Sequence, residues 1–342
     1  MDSFDILAQN KYFIFNFVQL FINKLPFFYK KMLTDTLLLI EPNHFTANPD
    51  TIATNFYQKK IAESDKIITQ RLAKQEFDML IKELQKNDIK TIILPAKRKD
   101  KKKVITPDAL FPNNWISFHS NSDKKAILYP MCGKNRRLER RNDAIEEVQK
   151  LGFQIKEIID LTSFENQNSF LEGTGSLILD RKNKIVYACL SQRTNKTLID
   201  LFCKRMNYKS IVFISEQETN EGLKPIYHTN VMMSVGEKIA VVCLESIKNE
   251  EERNNLVQKL EATGKQILEI SLKQKHHFAG NMLQVKNSKS QRFWVMSEAA
   301  HQILSKNQID VLEKESKIIS SPIPTIEKYG GGSVRCMLCE IF

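Results

Sequence analysis

The residues of this chain that could do covalent chemistry fall in four short segments. The most informative runs Tyr329-Gly330-Gly331-Gly332-Ser333-Val334-Arg335-Cys336-Met337-Leu338-Cys339-Glu340. Consecutive glycines cost conformational entropy on ordering, so they suit backbone that must approach a ligand or present the next side chain at an unusual angle. Cys336 then stands at the start of a last strand, expected over residues 334–341. A nucleophilic cysteine needs a base, usually histidine, and a group to bind or orient the reacting atoms. His228 lies in Pro225-Ile226-Tyr227-His228-Thr229-Asn230-Val231, a polar triplet entering an apolar strand, where loop-borne catalytic groups tend to sit. Glu172 precedes two closely spaced glycines and a strand in FLEGTGSL, and Asp108, Asn113 and Asn114 share a proline-bounded segment, PDALFPNNW. Taken singly, each has a plain structural reading: packed strand thiols, a turn histidine, a hairpin-loop carboxylate, a structured turn.

Cys336 and Cys339 also form a CxxC half-motif. A thioredoxin-type pair needs a following helix to lower the thiol pKa, and only three residues follow Cys339. Zinc would need two more ligands, yet the sequence has no second CxxC, no HExxH, and only His276 and His277 as a compact donor pair. Neither a metal nor an organic cofactor is expected.

The elements that must position these groups follow an α/β pattern, in which short β-rich runs alternate with segments of helical period. Strands are expected over 36–40, 91–94, 115–118, 126–129, 176–179, 185–190, 211–214, 239–244, 267–270, 282–285, 293–296 and 334–341. Helices are expected over 61–84, 138–151, 196–206, 249–262 and 297–312. Ala144, Ile145, Val148 and Leu151 mark one buried stripe and Leu256, Val257 and Leu260 another, each followed by a glycine stop. Each helix comes with two or three strands, which predicts one supersecondary unit used about five times. At about 150 residues per domain the length suggests roughly two domains. No Gly/Ser-rich or Pro-rich linker divides the chain, however, so one domain over 32–342 is expected.

Of 342 residues, 42% are hydrophobic and 27% charged, with 11 Gly and 10 Pro, which excludes collagen, coiled coil and wholesale disorder. Six irregularly spaced cysteines are too few for a disulfide scaffold and point to a reducing cytoplasm. The net charge of +11 admits an anionic partner. The basic clusters, KRKDKKK at 97–103 and then Arg136, Arg137, Arg140 and Arg141, lack the interleaved aromatics of a single-strand-binding surface. They are expected to be solvated surface charge, with no nucleic-acid partner. Residues 12–29 are aromatic-rich, but Asn16, Gln19, Asn23, Lys24 and Pro26 interrupt them short of the roughly 20 residues a membrane span needs. No small-residue cleavage site follows. Residues 1–31 are therefore expected to be an appended amphipathic element without stable membrane insertion.

Read together, EPNHFTANPDTIATNFYQ, TPDALFPNNWISFH, FLEGTGSLILDR, ACLSQRTN, YHTNVMMSVG, HFAGNMLQVKN and GGGSVRCMLCEIF resemble, in order, the guanidino-group-modifying superfamily. That superfamily comprises arginine and agmatine deiminases, dimethylarginine hydrolases and glycine amidinotransferases. The nearest resemblance is to the branch described as citrulline-utilisation hydrolases, and it spans about 32–342. It implies a five-bladed α/β propeller with a Cys-His-Glu site in a central channel. It makes Cys336 the nucleophile, His228 the general acid/base and Glu172 a carboxylate that holds the substrate's terminal nitrogens. Arg193 matches a clamp for the substrate α-carboxylate, Arg136 a second clamp and Asp108 a substrate-binding acid. Asn113 and Gly332 join the substrate-binding set. The implied partner is a small amino-acid substrate, and a homo-oligomer would be in keeping.

Two departures bear on that substrate. In arginine-directed relatives, carboxylates occupy the positions that here are Asn114 and Asn230. A guanidinium is a fixed cation with only donors, which carboxylates suit. A ureido group is neutral and presents an acceptor oxygen, to which an amide can donate and a carboxylate cannot. The asparagines therefore argue for citrulline over arginine. Arginine or a methylated arginine is the nearest alternative. A rival of another class is a non-enzymatic propeller that binds RNA or an anionic membrane through its basic loop and aromatic N-terminus.

Overall fold

The computed structural model describes residues 33–42, 44–96, 104–119, 124–219 and 222–342. The aromatic run at 12–29 and the lysine-rich run at 97–103 lie outside the described residues. Residues Lys31–Phe342 form one compact unit.

One pairing pattern repeats. β1 (Thr36–Ile40) runs parallel to β2 (Lys90–Leu94). β3 (Ile116–His119) is antiparallel to β4 (Lys125–Leu128), which runs parallel to β5 (Glu157–Asp160). β6 (Ile178–Asp180), β7 (Ile185–Cys189) and β8 (Lys209–Phe213) repeat this order. A hairpin of β9 (Glu216–Thr219) and β10 (Gly222–Pro225) intervenes. The order returns in β11 (Met233–Val235), β12 (Ile239–Val242) and β13 (Gln266–Glu269), then in β14 (Leu283–Lys286), β15 (Arg292–Ser297) and β16 (Lys317–Ser321). β17 (Cys339–Ile341) pairs antiparallel with β1, Leu38 opposite Cys339, and so completes the first sheet from the far end of the chain. Among the described residues there are thus five open three-stranded sheets of one pattern.

Parallel neighbours need a long crossover, usually helical, and every parallel pair here has one. α1 (Lys66–Lys86) joins β1 to β2, α2 (Asp143–Lys150) joins β4 to β5, α4 (Lys196–Met206) joins β7 to β8 and α5 (Glu250–Ala262) joins β12 to β13; the short turn α3 (Gly173–Ser176) lies between β5 and β6. α7 (Glu298–Ile303) and α8 (Lys306–Glu313) join β15 to β16 after α6 (Leu272–His276). α1 buries Ala73, Phe77, Leu80 and Leu84 on one stripe, each large side chain contributing about 1.5–3 kcal/mol.

Several boundaries differ from expectation for identifiable reasons. The helix expected over 297–312 breaks because Ser305 caps α8 in a reciprocal capping box with Gln308. Residues 138–151 yield a 3-10 turn, Asn135–Glu139, before the shorter α2. Residues 334–341 are not one strand. α9 (Pro324–Gly330) stops at Gly331, whose φ of 62° is left-handed, and α10 (Val334–Met337) is a helical turn that holds Cys336 before β17 begins.

The arginine cluster is not a solvated face. Arg136 pairs with Glu139 and Arg141 with Asp143, all four buried, while Arg137 and Arg140 pair with Glu165. Among the described residues no helix is long and apolar enough to cross a membrane.

Candidate active site

Three of the segments singled out by residue type meet at one small cavity, lined among others by Cys336, His228, Asp108 and Asn114 and by Arg136 and Arg193. The glycine turn that brings Cys336 there is pinned from outside. Tyr227 Oη and Asn55 Nδ2 donate to Gly331 O at 2.5 and 3.1 Å, and Gln58 Nε2 donates to Gly330 O at 2.9 Å. Gly332 lines the cavity against the Phe111 ring.

His228 enters from the residue before the 3-10 turn Thr229–Val231. Its Nε2 is 2.8 Å from Glu172 Oε2. Glu172 is wholly buried and does not line the cavity: Oε1 accepts the Cys132 N–H at 2.9 Å, with Arg193 and Arg136 guanidinium nitrogens 3.6 and 3.7 Å from Oε2. Burial alone would raise its pKa, but Arg193, the His228 hydrogen bond and Arg136 together hold the carboxyl well below the usual carboxylate range. Burial pushes His228 the other way, down to about 4, against the pull of Glu172. At neutral pH the pair is therefore carboxylate and neutral imidazole. A carboxylate only accepts, so Nε2 carries the proton and Nδ1 keeps its lone pair. Gly175 makes room for this arrangement, since a Cβ there would fall 2.8 Å from His228 Nδ1 and 2.5 Å from Asn114 Nδ2.

The geometry gives Glu172 a different place from the one its resemblance implied. With both oxygens spent on Cys132 and His228, it stands behind the imidazole rather than on a substrate nitrogen. Asn113 is likewise outside the lining and accepts from Asn114 Nδ2 at 3.1 Å. Arg136 lines the cavity, but its fork is spent. Nε and Nη2 each lie 3.0 Å from the Glu139 carboxylate, and Nη1 is 2.9 Å from Asn114 Oδ1. Burial lifts Glu139 to about 7 against that arginine.

Asp108, Arg193 and Asn230 each keep an unpaired polar atom, as does Asn113 at Nδ2. Asp108 Oδ2 accepts from Asn48 Nδ2 at 2.7 Å, while Oδ1 is buried without a partner. Burial raises the Asp108 pKa, opposed chiefly by Arg136. Arg193 Nη2 donates to Thr51 O and Thr54 Oγ1 at 3.2 and 2.6 Å, its guanidinium lies 5.0 Å from the Tyr227 ring centroid, and its Nε has no partner. Arg193 and Tyr227 also line an outer pocket beside Phe56 and Lys224, so they belong to both spaces. Asn230 Nδ2 donates to Cys336 Sγ at 3.4 Å, leaving Oδ1 unpaired.

Sequence reasoning missed Asn281, whose Nδ2 is 3.3 Å from Cys336 Sγ, and Asn48 and Thr51, which hold Asp108. Asn281 sits in the HFAGNMLQVKN string, but an isolated amide carries no signal of its own. Cys339 points elsewhere: its Sγ lies 3.5 Å from Ile116 O in a separate part of the core, where burial pushes the thiol up. Among the described residues no three His, Cys, Asp or Glu side chains converge as a metal-binding set.

Comparison with known proteins adds the family. The model of the eukaryotic N,N-dimethylarginine dimethylhydrolase family matches residues 41–342. No curated protein matches the sequence. Among solved structures, the N-terminal domain of ArgZ, covalently bound to a reaction intermediate, superposes with a TM-score of 0.67 at 14% identity, over 90% of this chain and 97% of that one. The full protein is described as an arginine dihydrolase from the ornithine-ammonia cycle in Cyanobacteria. A dimethylarginine dimethylaminohydrolase from Pseudomonas aeruginosa, complexed with citrulline, gives a TM-score of 0.59 at 14% identity over 90% of this chain and 100% of that one. At such identities the likeness is one of α/β fold.

Proposed function

This chain belongs to the N,N-dimethylarginine dimethylhydrolase family, within the guanidino-modifying superfamily of hydrolases that act on carbon–nitrogen bonds outside peptides, and we propose that it hydrolyses the ureido group of L-citrulline through Cys336. The observation that carries this reading is one cavity holding a cysteine sulfur and an imidazole whose far nitrogen is anchored to a buried carboxylate.

In the proposed sequence, the Cys336 thiolate attacks the ureido carbon. The tetrahedral adduct collapses as its C–N bond to ornithine breaks, and His228, carrying the proton taken from the thiol, delivers it to the departing amine. Ornithine leaves an S-carbamoyl group on Cys336. His228, neutral again, takes a proton from water, which attacks that carbonyl. The C–S bond breaks, thiolate returns, and the carbamic acid falls apart to carbon dioxide and ammonia. An imidazole held at a low pKa is a strong acid toward the leaving amine. A urea is a poor electrophile, so charge on its oxygen must be stabilised. The free N–H of Asn114 is the candidate donor within the cavity, and such a donor is typically worth about 100-fold or more in rate. Arg193, with Nε unpaired at the wall of the outer pocket, suits the substrate α-carboxylate.

A second reading keeps the chemistry and changes the substrate to arginine or a methylated arginine. The unpaired Asp108 Oδ1 favours it, because a carboxylate suits a guanidinium. Measuring ornithine and ammonia from citrulline, against citrulline from arginine and from methylated arginine, separates the two; turnover of guanidino substrates alone would refute the asparagine argument. In the same reading the five sheets are blades around the cavity, 1–31 is an extension of the catalytic unit 32–342, and the six free thiols accord with the cytoplasm.

A further inference from the structure

Two carboxamides face the Cys336 sulfur, and the second belongs to no role described so far. Asn281 is wholly buried and reaches Sγ from the loop between α6 and β14. Its Nδ2 lies 3.3 Å from the sulfur and its Oδ1 at 3.8 Å. The same Nδ2 donates to Asn230 O at 2.8 Å, and Oδ1 accepts the Arg335 N–H at 3.0 Å. A main-chain carbonyl can only accept and a main-chain N–H can only donate, so these two contacts fix which way the amide points. Turning it over would break both. Gly280 permits the approach, since a Cβ there would meet Val231 O at 2.8 Å.

A buried thiolate needs donors or a cation. Burial disfavours the protonated form of the nearby imidazole, which must hold the thiol's proton during attack, and Arg136 is bound to Glu139 and Asn114. Hydrogen bonds to an ionised acceptor are about twice as strong as neutral ones. We propose that Asn281 is a catalytic residue: with Asn230 it donates to Cys336 Sγ, holding the sulfur as thiolate, while its Oδ1 fixes the helical turn that carries the sulfur. This rests on the reading of Cys336 as the nucleophile.

The test is the pH dependence of iodoacetamide alkylation at Cys336, read on its peptide by mass spectrometry, in the wild-type protein and in Asn281→Asp and Asn281→Ser. The aspartate keeps the acceptor for Arg335 N–H and replaces the donor with a second acceptor. Its alkylation midpoint should rise by about one pH unit, with roughly 10-fold slower alkylation at neutral pH. The serine, a donor on a shorter arm, should move the midpoint less in the same direction, and it decides the matter should the aspartate not fold. Midpoints unchanged in the folded variants, whatever happens to melting temperature, would overturn the proposal and leave Asn281 a packing residue. The readout needs no substrate. Shifted midpoints in a protein that turns over neither citrulline nor arginine would uphold Asn281 and sink the functional reading; citrulline turnover with unmoved midpoints would do the reverse.

Discussion

His228 Nε2 lies 2.8 Å from Glu172 Oε2, and that contact decides which imidazole nitrogen can move a proton. With Nε2–H committed to a carboxylate that has no access to the cavity, only Nδ1 is left for chemistry. Glu172→Gln tests this. One amide oxygen cannot accept from both His228 and the Cys132 N–H, and the amide N–H₂ would favour the wrong tautomer. We expect kcat to fall by roughly 10²–10⁴ with a much smaller change in KM. An equal loss confined to KM would return Glu172 to the substrate.

Acid should destabilise the protein earlier than carboxylate protonation alone would. His228 titrates at 6.5 in the unfolded chain and at about 4 in the fold. The unfolded state therefore binds the extra proton, and the stability present above pH 6.5 drains away as pH falls toward 4. The amount is roughly 3 kcal/mol at order-of-magnitude precision. His119, also depressed by burial, adds in the same direction. Glu172, with its lowered pKa, holds its contribution above the ordinary carboxylate range and surrenders it only below. Glu139, lifted to about 7 by burial, takes up a proton in the fold over the same range and opposes this, so the His228 share is read as a difference: urea midpoints should fall more steeply with acid in the wild type than in His228→Gln. An unchanged slope in that variant would locate the proton uptake elsewhere.

Arg193 is expected to act in binding. Arg193→Lys keeps the charge but loses the planar fork that reaches Thr51, Thr54 and the cavity together. KM for an amino-acid substrate should rise by about 10-fold or more, with kcat falling less. A decarboxylated substrate should show little difference between the two proteins. A kcat loss without a KM change would contradict the clamp.

Asn114→Asp bears on the choice of substrate. A carboxylate there would tighten onto Arg136 Nη1, now 2.9 Å from the amide oxygen, and remove a donor from the cavity. The ratio of citrulline to arginine turnover should drop by about 10-fold or more. A constant ratio would show that this side chain does not read the difference between urea and guanidine.

Much of this was legible in residue patterns, and the exceptions have physical causes. α4 and β1 fall where the sequence placed them, because Asn195 caps one and the other is a continuous apolar run buried along its length. Five expected helices became the crossovers of five sheets, with the last one split. β5, β16 and the β9–β10 hairpin fall outside the expected strands: EIID, KIISS, EQET and GLKP are partly exposed runs with little apolar signal. The stretch around Cys336 read as one strand because VRCMLCEI is mostly apolar, whereas pairing with β1 starts only at Cys339. At the site, residue type found Cys336, His228 and Glu172. It did not find that Glu172 backs the histidine, a tertiary fact. Arg136 and Glu139 stand three residues apart, a pairing signal that a count of basic residues does not carry.

The central claim is that Cys336 forms a covalent bond to the substrate's terminal carbon. Rapid acid quenching during turnover of citrulline, followed by mass spectrometry of the C-terminal peptide, should reveal a carbamoyl adduct on Cys336, absent from Cys336→Ser and from the Cys339 sulfur. Steady turnover in Cys336→Ser, or an adduct found on another residue, would contradict the account.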